Sequence, residues 1–419
     1  MARVEEVGPT GQQEVGGRRD VVDVLREGAR RMLVDAVEAE VDDYLEKHRQ
    51  ARDEQGHRLV VRNGYAWERR LLTGLGELAV QAPRVNDKRR DPDGRRIRFS
   101  SAILPPYLRK TKSVEELTPW LYLKGISTGD FSEALAALLG PEAGGLSPGG
   151  VVRLKEKGGR DYDEWGKRDL SGERYVHLWA DGIYCNVRLD SDRQCFLVII
   201  GATADGKKHL LAVTDGFRES EKSWMDVLLD LKSRGMTEAA KLAVADGALG
   251  FWAALRKAFP PTREQRCWVH KTANVLDKQP KSLQGKVKTL IHDIYLAETR
   301  GAALRAWDRC LNFLGDKYPK ATACLEDDRE ALLAFYDFPA AHWAHLRTTN
   351  PIESMFATVR LRHRRTKGCG SRQASLTMVF MLARQARRHW RKLKGANMIL
   401  HIIAGKQFKD GILVTENAA

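Results

Sequence analysis

Between residues 174 and 266 the chain spells out a fixed run of elements. "RYVHLWADGIYCNVRL", "CFLVIIGAT" and "KHLLAVTD" are three successive apolar stretches of strand length, joined by short connections. "SEKSWMDVLLDLKSRG" follows with helical spacing, Ser220 as its cap and Gly235 as its stop. "AKLAVAD", "GALGFWAALRKAF" and "EQRCWV" then read as strand, helix and strand. The order β-β-β-α-β-α-β leaves few topologies. A meander must come first, and right-handed crossovers must return each later strand to the same sheet.

That order predicts an α/β protein with an RNase H-like core, a mixed five-stranded sheet flanked by helices. Asp181 falls on the first strand and Asp246 at the C-terminal end of the fourth, which are central neighbours in this topology. Each is followed by glycine (Gly182, Gly247), which permits close approach of backbone or ligand. Carboxylates at the strand ends of open α/β sheets stand where ligands bind. Two held so near repel unless a cation lies between them, and Mg²⁺, hard and oxygen-seeking, suits that place. Taken singly, each Asp-Gly pair reads better as a plain turn; both at strand ends of one such core make a site the better reading.

The whole chain has 419 residues, a net charge of +15 and a pI near 9.5. So basic a protein gathers a polyanion, and nucleic acid fits better than membrane because no apolar run has transmembrane length. Six cysteines without a CxxC pair suit free thiols in a reducing cytoplasm. Around the core, residues 1–19 read as a flexible leader. Residues 20–112 read as a long amphipathic helix, a small β region and a basic loop at 84–98 that extends mobile along phosphates. Residues 113–170 read as a helix-turn-helix-like DNA-binding region, with Ser147 capping a helix that opens at Pro148. The core's first part spans 171–280 and an all-helical insertion 281–345. The core's C-terminal helices span 346–395, and a tail 396–419. Trp268, Trp307 and Trp343 read as core, with bracing of unstacked bases as the other possibility.

"RTTNPIESMFATVRLRHRR" opens the C-terminal helices. Seven of the 26 residues from Arg347 to Arg372 are Arg or Lys, and Glu353 is the one acid. Asn350-Pro351-Ile352-Glu353 has the form of a capping box, with Asn350 as N-cap and Glu353 reaching back to it. The same position sets an ionised carboxylate at a helix N-terminus, where the dipole favours it and where it suits a metal. Arg360 lies two turns further along the same face. Arg362, Arg364, Arg365 and Lys367 prolong the basic surface expected to hold DNA.

With Asp181, Asp246 and Glu353 in line, the chain resembles the bacterial transposases of the IS256, or Mutator-type, family. The matching stretches are "ADGIYCNVR", "ADGALGFWAAL", "QRCWVHKTANVL" and "RTTNPIESMFATVRLRHRRTKG", with weaker matches at "RNGY", "LYLKGIST" and "LSPGGVVRL". The resemblance implies a DDE catalytic domain of RNase H-like fold, interrupted by a helical insertion before the glutamate. It implies two Mg²⁺ (or Mn²⁺) ions held by Asp181, Asp246 and Glu353. It also implies strand cleavage and transfer at terminal inverted repeats of double-stranded DNA, in a homodimer or larger assembly. The family's Cys-x-x-His signature falls on Cys267 and His270; lacking two further ligands it is not expected to bind zinc. Cys267, His270 and Asn350 are expected to support the site, and Lys271 to join the DNA contacts. Two other readings fit the same residues: a nuclease of this fold that cuts without joining, and a DNA-binding regulator that has lost catalysis.

Overall fold

The computed structural model describes residues 20–114, 121, 126, 131–139, 148–187, 193–216, 218–247, 249–366, 369 and 371–414. It divides into two units, with the boundary near Gly149 and Gly150. The expected leader and Ser147 lie outside the described residues.

The first unit opens with α1 (Val21–Lys47), whose first turn is capped by the Asp20 carboxylate accepting from Val22 N. β1 (Val60–Tyr65) pairs antiparallel with β4 (Pro83–Asp87), and β2 (Arg69–Thr73) with β3 (Gly76–Val80). Val37 and Val41 of α1 share a small core with Leu71, Leu78, Val80 and Leu104. α2 (Phe131–Leu139) adds Leu135 to a second cluster with Leu72 and Val114. The basic stretch at 84–98, expected as a loop, is loop only in part. The segment begins as β4 and continues through a bridge between Arg90 and Arg96. Buried Asp87 is the reason: it accepts from Tyr44 Oη and Arg89 Nη2, both at 2.7 Å, and Arg96 donates to its carbonyl at 3.0 Å.

α3 (Pro148–Gly166) leads to the second unit, whose sheet runs β7-β6-β5-β8-β9. β5 (Tyr175–Cys185), β6 (Gln194–Thr203) and β7 (Lys208–Gly216) form an antiparallel meander. β8 (Leu242–Ala245) and β9 (Arg263–Arg266) run parallel to β5. All ten residues of β6 are buried, because helices cover both faces of the sheet. α4 (Glu221–Ser233) and α5 (Leu249–Ala258) bury Trp224, Leu228, Phe251 and Trp252 against Leu178, Leu197 and Ile199. The opposite face takes α6 (Trp268–Leu276), α12 (Asn350–Thr366) and α13 (Arg372–Arg387), packed on Trp179, Ile183, Phe196 and Val198.

Between α6 and α12 the chain is helical. α7 (Lys281–Tyr295), α8 (Arg300–Leu314), α9 (Pro319–Glu326), α10 (Arg329–Leu333) and α11 (Trp343–Leu346) follow in turn. Trp268, Trp307 and Trp343 are buried there and form core rather than a platform for bases. The final segment is not a loose tail. α14 (Ile399–Ile403) and the hairpin of β10 (Phe408–Lys409) with β11 (Ile412–Leu413) bury Ile399, Ile402 and Phe408 in the same core. All six cysteines are free thiols, and no helix among the described residues is long and apolar enough to cross a membrane.

The Arg89 guanidinium, with help from Tyr44, holds Asp87 down at about 2, against an ordinary value of 3.8. A carboxylate depressed in the fold stabilises fully above its unfolded value and loses that contribution as pH falls through about 2. Replacing Asp87 by Ala is therefore expected to destabilise the first unit by about 2 kcal/mol at pH 7. Urea unfolding from pH 7 to pH 2 should show the gap between variant and parent closing below about pH 3.8. A gap that ignores pH would mean that the network acts by packing and not by charge.

Candidate active site

Register places the two aspartates side by side. Trp179 of β5 pairs with Val244 of β8. Two residues further on, Asp181 still lies in β5 while Asp246 falls just past the end of β8, outside the group of possible ligand atoms that Asp181 joins. Both share the parity of Trp179 and Val244, whose side chains belong to the core on the α12 face. Asp181 is 6% exposed. Past the end of β8, the Asp246 carbonyl is held by Trp252 Nε1 at 2.8 Å and Arg266 Nη1 at 2.9 Å.

Glu353 reaches this point through a join between the starts of two helices. Cys267 occupies the N-cap position of α6. Trp268 N donates to Arg347 O at 2.9 Å, and Thr349 N donates to Cys267 Sγ at 3.4 Å. The N-terminus of α6 is thus fastened to that of α12. His270, three residues past that cap, meets Glu353 of α12: Nε2 lies 3.1 Å from Oε1. The other oxygen, Oε2, accepts from Arg360 Nη2 at 3.0 Å. Asp181, His270 and Glu353 each offer a possible ligand atom, all within 4.8 Å of one another.

The capping box expected at Asn350 does not form. Ile352 and Glu353 donate their backbone N–H groups to Thr349 O, so Thr349 holds the cap position. Asn350 is exposed, and the Glu353 carboxylate is committed to His270 and Arg360. Two of the expected DNA contacts are also inward. Lys271 is 7% exposed and donates to Cys324 O and to Asp328 Oδ2, an internal ion pair. Arg362 is 5% exposed and belongs to the interior. Arg360 and Arg364 are outward, while Lys367 and the Arg365 side chain lie outside the described part.

Charge is concentrated here. Burial raises Asp181 to about 8, with Asp246 and Glu353 adding to the rise and His270 opposing it. The Cys267 sulfur and the Glu353 carboxylate lift His270 to about 11, so its ring is an imidazolium at neutral pH. Its Nδ1 makes no aligned hydrogen bond, so the sulfur acts on the ring through charge and the Glu353 ion pair fixes its orientation. His270, in turn, holds Glu353 below the ordinary carboxylate range. Burial pushes the Cys267 thiol up, but His270 outweighs it and the net shift is downward. Beyond Gly182 a cavity of about 680 Å³ opens between β5 and α12, walled by Tyr184, Arg193, Arg360, His363 and Arg364.

Sequence reasoning missed a further acid, Glu219, in the connection from β7 to α4. Its carboxyl fills the space a side chain at 182 would need: a Cβ on Gly182 would come within 2.5 Å of Glu219 Cδ. In "GFRESEKSW" it looks like an ordinary loop acid just before the cap Ser220, and no spacing in the sequence singles it out. Gly247, which follows Asp246, has open space around it, so only one of the two Asp-Gly pairs is needed for close approach.

Carboxylates gathered at the ends of central strands, beside a cleft lined with guanidinium groups, put this α/β protein in the class suited to polyanionic substrates. The family model described as "Transposase, Mutator family" matches residues 3–393, and the chain belongs to that family. It is 50% identical over 301 residues to the transposase of insertion sequence element IS6120 from Mycolicibacterium smegmatis, covering 72% of this chain and 93% of that one. It is 49% identical over 287 residues to the transposase of element IST2 from Acidithiobacillus ferrooxidans, covering 67% and 95%. The transposase of IS256 in transposon Tn4001 from Staphylococcus aureus is 29% identical over 327 residues, covering 77% and 79%. A Drosophila P element transposase strand transfer complex overlaps 71% of this chain and 89% of that chain at 11% identity. Its TM-score of 0.22 is too low to carry an argument.

Gly250, in the first turn of α5, is where the backbone before α4 crosses beside the Asp246 turn. A Cβ there would land on the Glu219 carbonyl oxygen and within 2.7 Å of Glu221 N. Gly250→Ala is expected to cost about 1–3 kcal/mol by overpacking against backbone that cannot rotate away. Gly247→Ala should leave stability within about 0.5 kcal/mol of the parent. Thermal melting of the two variants checks this, and equal melting points would remove the crowding argument.

Proposed function

We propose that the chain is a DDE-type transposase whose Asp181, Asp246 and Glu353 carry a metal-dependent phosphoryl transfer on DNA. The observation that carries this reading is the meeting of Glu353, 107 residues beyond Asp246 in the sequence, with Asp181 and His270 beside the turn that bears Asp246. In this reading β5–β9 with α4, α5, α12 and α13 are an RNase H-like core, and α7–α11 are a helical insertion within it. The first unit and α3 recognise the terminal inverted repeats. A homodimer or larger assembly brings two ends together, with the exposed Val21, Leu25 and Met32 along α1 as a candidate contact.

The donors fit two Mg²⁺ or Mn²⁺ ions. Two carboxylates, Asp181 and Glu353, and an imidazole converge; burial, with the charges of Asp246 and Glu353 adding to it, already holds Asp181 up at about 8. Such crowding of hard oxygen donors favours a hard divalent cation. Asp181, Asp246 and Glu353 would hold the ions, which when bound supply Lewis acidity and an activated water at a phosphodiester. The protein's own share is positioning. Arg193 and Arg364 line the cavity beside the site and take the flanking phosphates, while Arg360 and His270 fix the Glu353 carboxylate. Hydrolysis of one P–O bond frees a 3′-hydroxyl. Its oxygen then forms a bond to a second phosphorus as another P–O bond breaks, so the joining step needs no outside energy source.

Incubating the protein with inverted-repeat DNA and Mg²⁺ tests the reading against its two rivals. The proposal expects strand-transferred product; nicks alone would support a nuclease, and a bound, intact duplex a regulator. Asp246→Asn is expected to abolish both cleavage and joining while DNA affinity stays within about two-fold. Loss of binding in a folded variant would count against the assignment. Arg193→Ala with Arg364→Ala should weaken binding and reduce the salt slope by about one unit per lost phosphate contact. An unchanged slope would place the cavity away from DNA.

A further inference from the structure

Three unusual backbone features surround one side chain that the sequence reading passed over. Arg218, immediately before Glu219, sits at φ 60, the left-handed region that non-glycine residues enter at a cost. Gly250 of α5 lets the backbone of 219–221 lie against the first turn after Asp246; any side chain there would strike it. Gly182, next to Asp181, leaves the volume that the Glu219 carboxyl fills. Strain before Glu219 and missing side chains on two sides all serve to bring one acid down between β5 and α5.

What the acid meets there does not satisfy it. Glu219 Oε2 is buried and has no hydrogen-bond partner. The charged groups that act on it most are Asp246, which repels, and then His270, which attracts. A buried carboxylate oxygen with no donor, set beside Gly182 and in the field of a second carboxylate, is a costly arrangement that packing alone does not explain. A shared cation would relieve both at once.

The geometry points to Glu219 as a fourth carboxylate of the cation site, entering from the α4–α5 face on the Asp246 side while Glu353 enters from the α12 face. This inference rests on the metal-dependent reading above. It assigns to the site a ligand, or an immediate supporter of one, outside the Asp181–Asp246–Glu353 set. The ligand class is a hard divalent cation, Mg²⁺ or Mn²⁺. Gly182 and Gly250 then have a functional reason to lack side chains, since each makes room for the approach.

Mn²⁺ binding to the full chain without DNA provides the test, read by titration calorimetry and by the Mn²⁺-induced rise in melting temperature. Glu219→Gln is expected to weaken Mn²⁺ binding by at least about ten-fold, the scale seen when a ligand or its supporter is removed. Its metal-free melting temperature should not fall, because the variant removes a charge that faces Asp246. Gly182→Ala, which displaces the carboxyl without removing it, should weaken Mn²⁺ binding in the same direction, so the test survives if one variant folds poorly. Parental Mn²⁺ affinity and stoichiometry in both variants would overturn the inference, as would a metal-free melting point that drops in Glu219→Gln while affinity is intact. Asp246→Asn separates the two levels. If Asp246→Asn loses Mn²⁺ and Glu219→Gln does not, only the role of Glu219 falls. If Asp246→Asn binds as the parent does, the metal-dependent reading falls with it.

Discussion

Everything at the site depends on the join between the starts of α6 and α12. Sheet register alone brings Asp181 and Asp246 together, since they lie two residues beyond a paired position on adjacent parallel strands. Nothing so local delivers Glu353. Six α-helices, α6–α11, separate it from β9, and any drift in their packing would be magnified at their far end. The bonds from Trp268 to Arg347 and from Thr349 to Cys267 remove that freedom by tying the exit of the helical stretch to its entrance. With both ends fixed, α7–α11 can pack as they please without moving the carboxylate. Cys267 is therefore a structural link whose thiol accepts from backbone, and His270, one turn later, is its electrostatic counterpart.

The charge balance follows from the same geometry. Low-dielectric surroundings amplify both repulsion and attraction, so acids gathered beside the end of a buried sheet are costly to keep ionised without positive charge among them. The protein supplies some of it in the His270 imidazolium and in Arg360, both on Glu353. Asp181 receives less and is driven up to about 8. Glu219, raised to about 7, lies in the same field. A site left short of positive charge in this way suits the cation of the proposed reading.

Legibility in the sequence tracked how local each cause was. The strand order and the positions of Asp181 and Asp246 could be read because a five-stranded meander-and-crossover pattern leaves few arrangements. Residue pattern alone failed where a side chain had two possible fates. Asn350 and Glu353 satisfy a capping box on paper, but His270 and Arg360 offer Glu353 charged partners that the helix N-terminus cannot match. Lys271 and Arg362 look like surface cations in a basic run. Helical phase turns them inward, where Lys271 is claimed by Asp328. Asp87 is the same lesson in the first unit, converting a basic loop into ordered strand and bridge. Glu219 was invisible because its placement depends on absences, the missing side chains at 182 and 250, which a linear reading records only as glycine.

This inward diversion of cations also sharpens the meaning of the net charge of +15. A basic total does not measure a basic surface, since several guanidinium and ammonium groups are spent on internal carboxylates and carbonyls. Arg266 goes to Asp246 O and Asp328, and Arg89 to Asp87. What remains outward on the second unit includes Arg193 and Arg364, on two sides of one cavity that begins at Gly182, beside Asp181. On the proposed reading a polyanion drawn by the overall field would meet these two guanidinium groups beside the clustered acids. On the proposed reading those acids would repel it in the cation-free state, and a bound cation would reverse the sign of that local interaction.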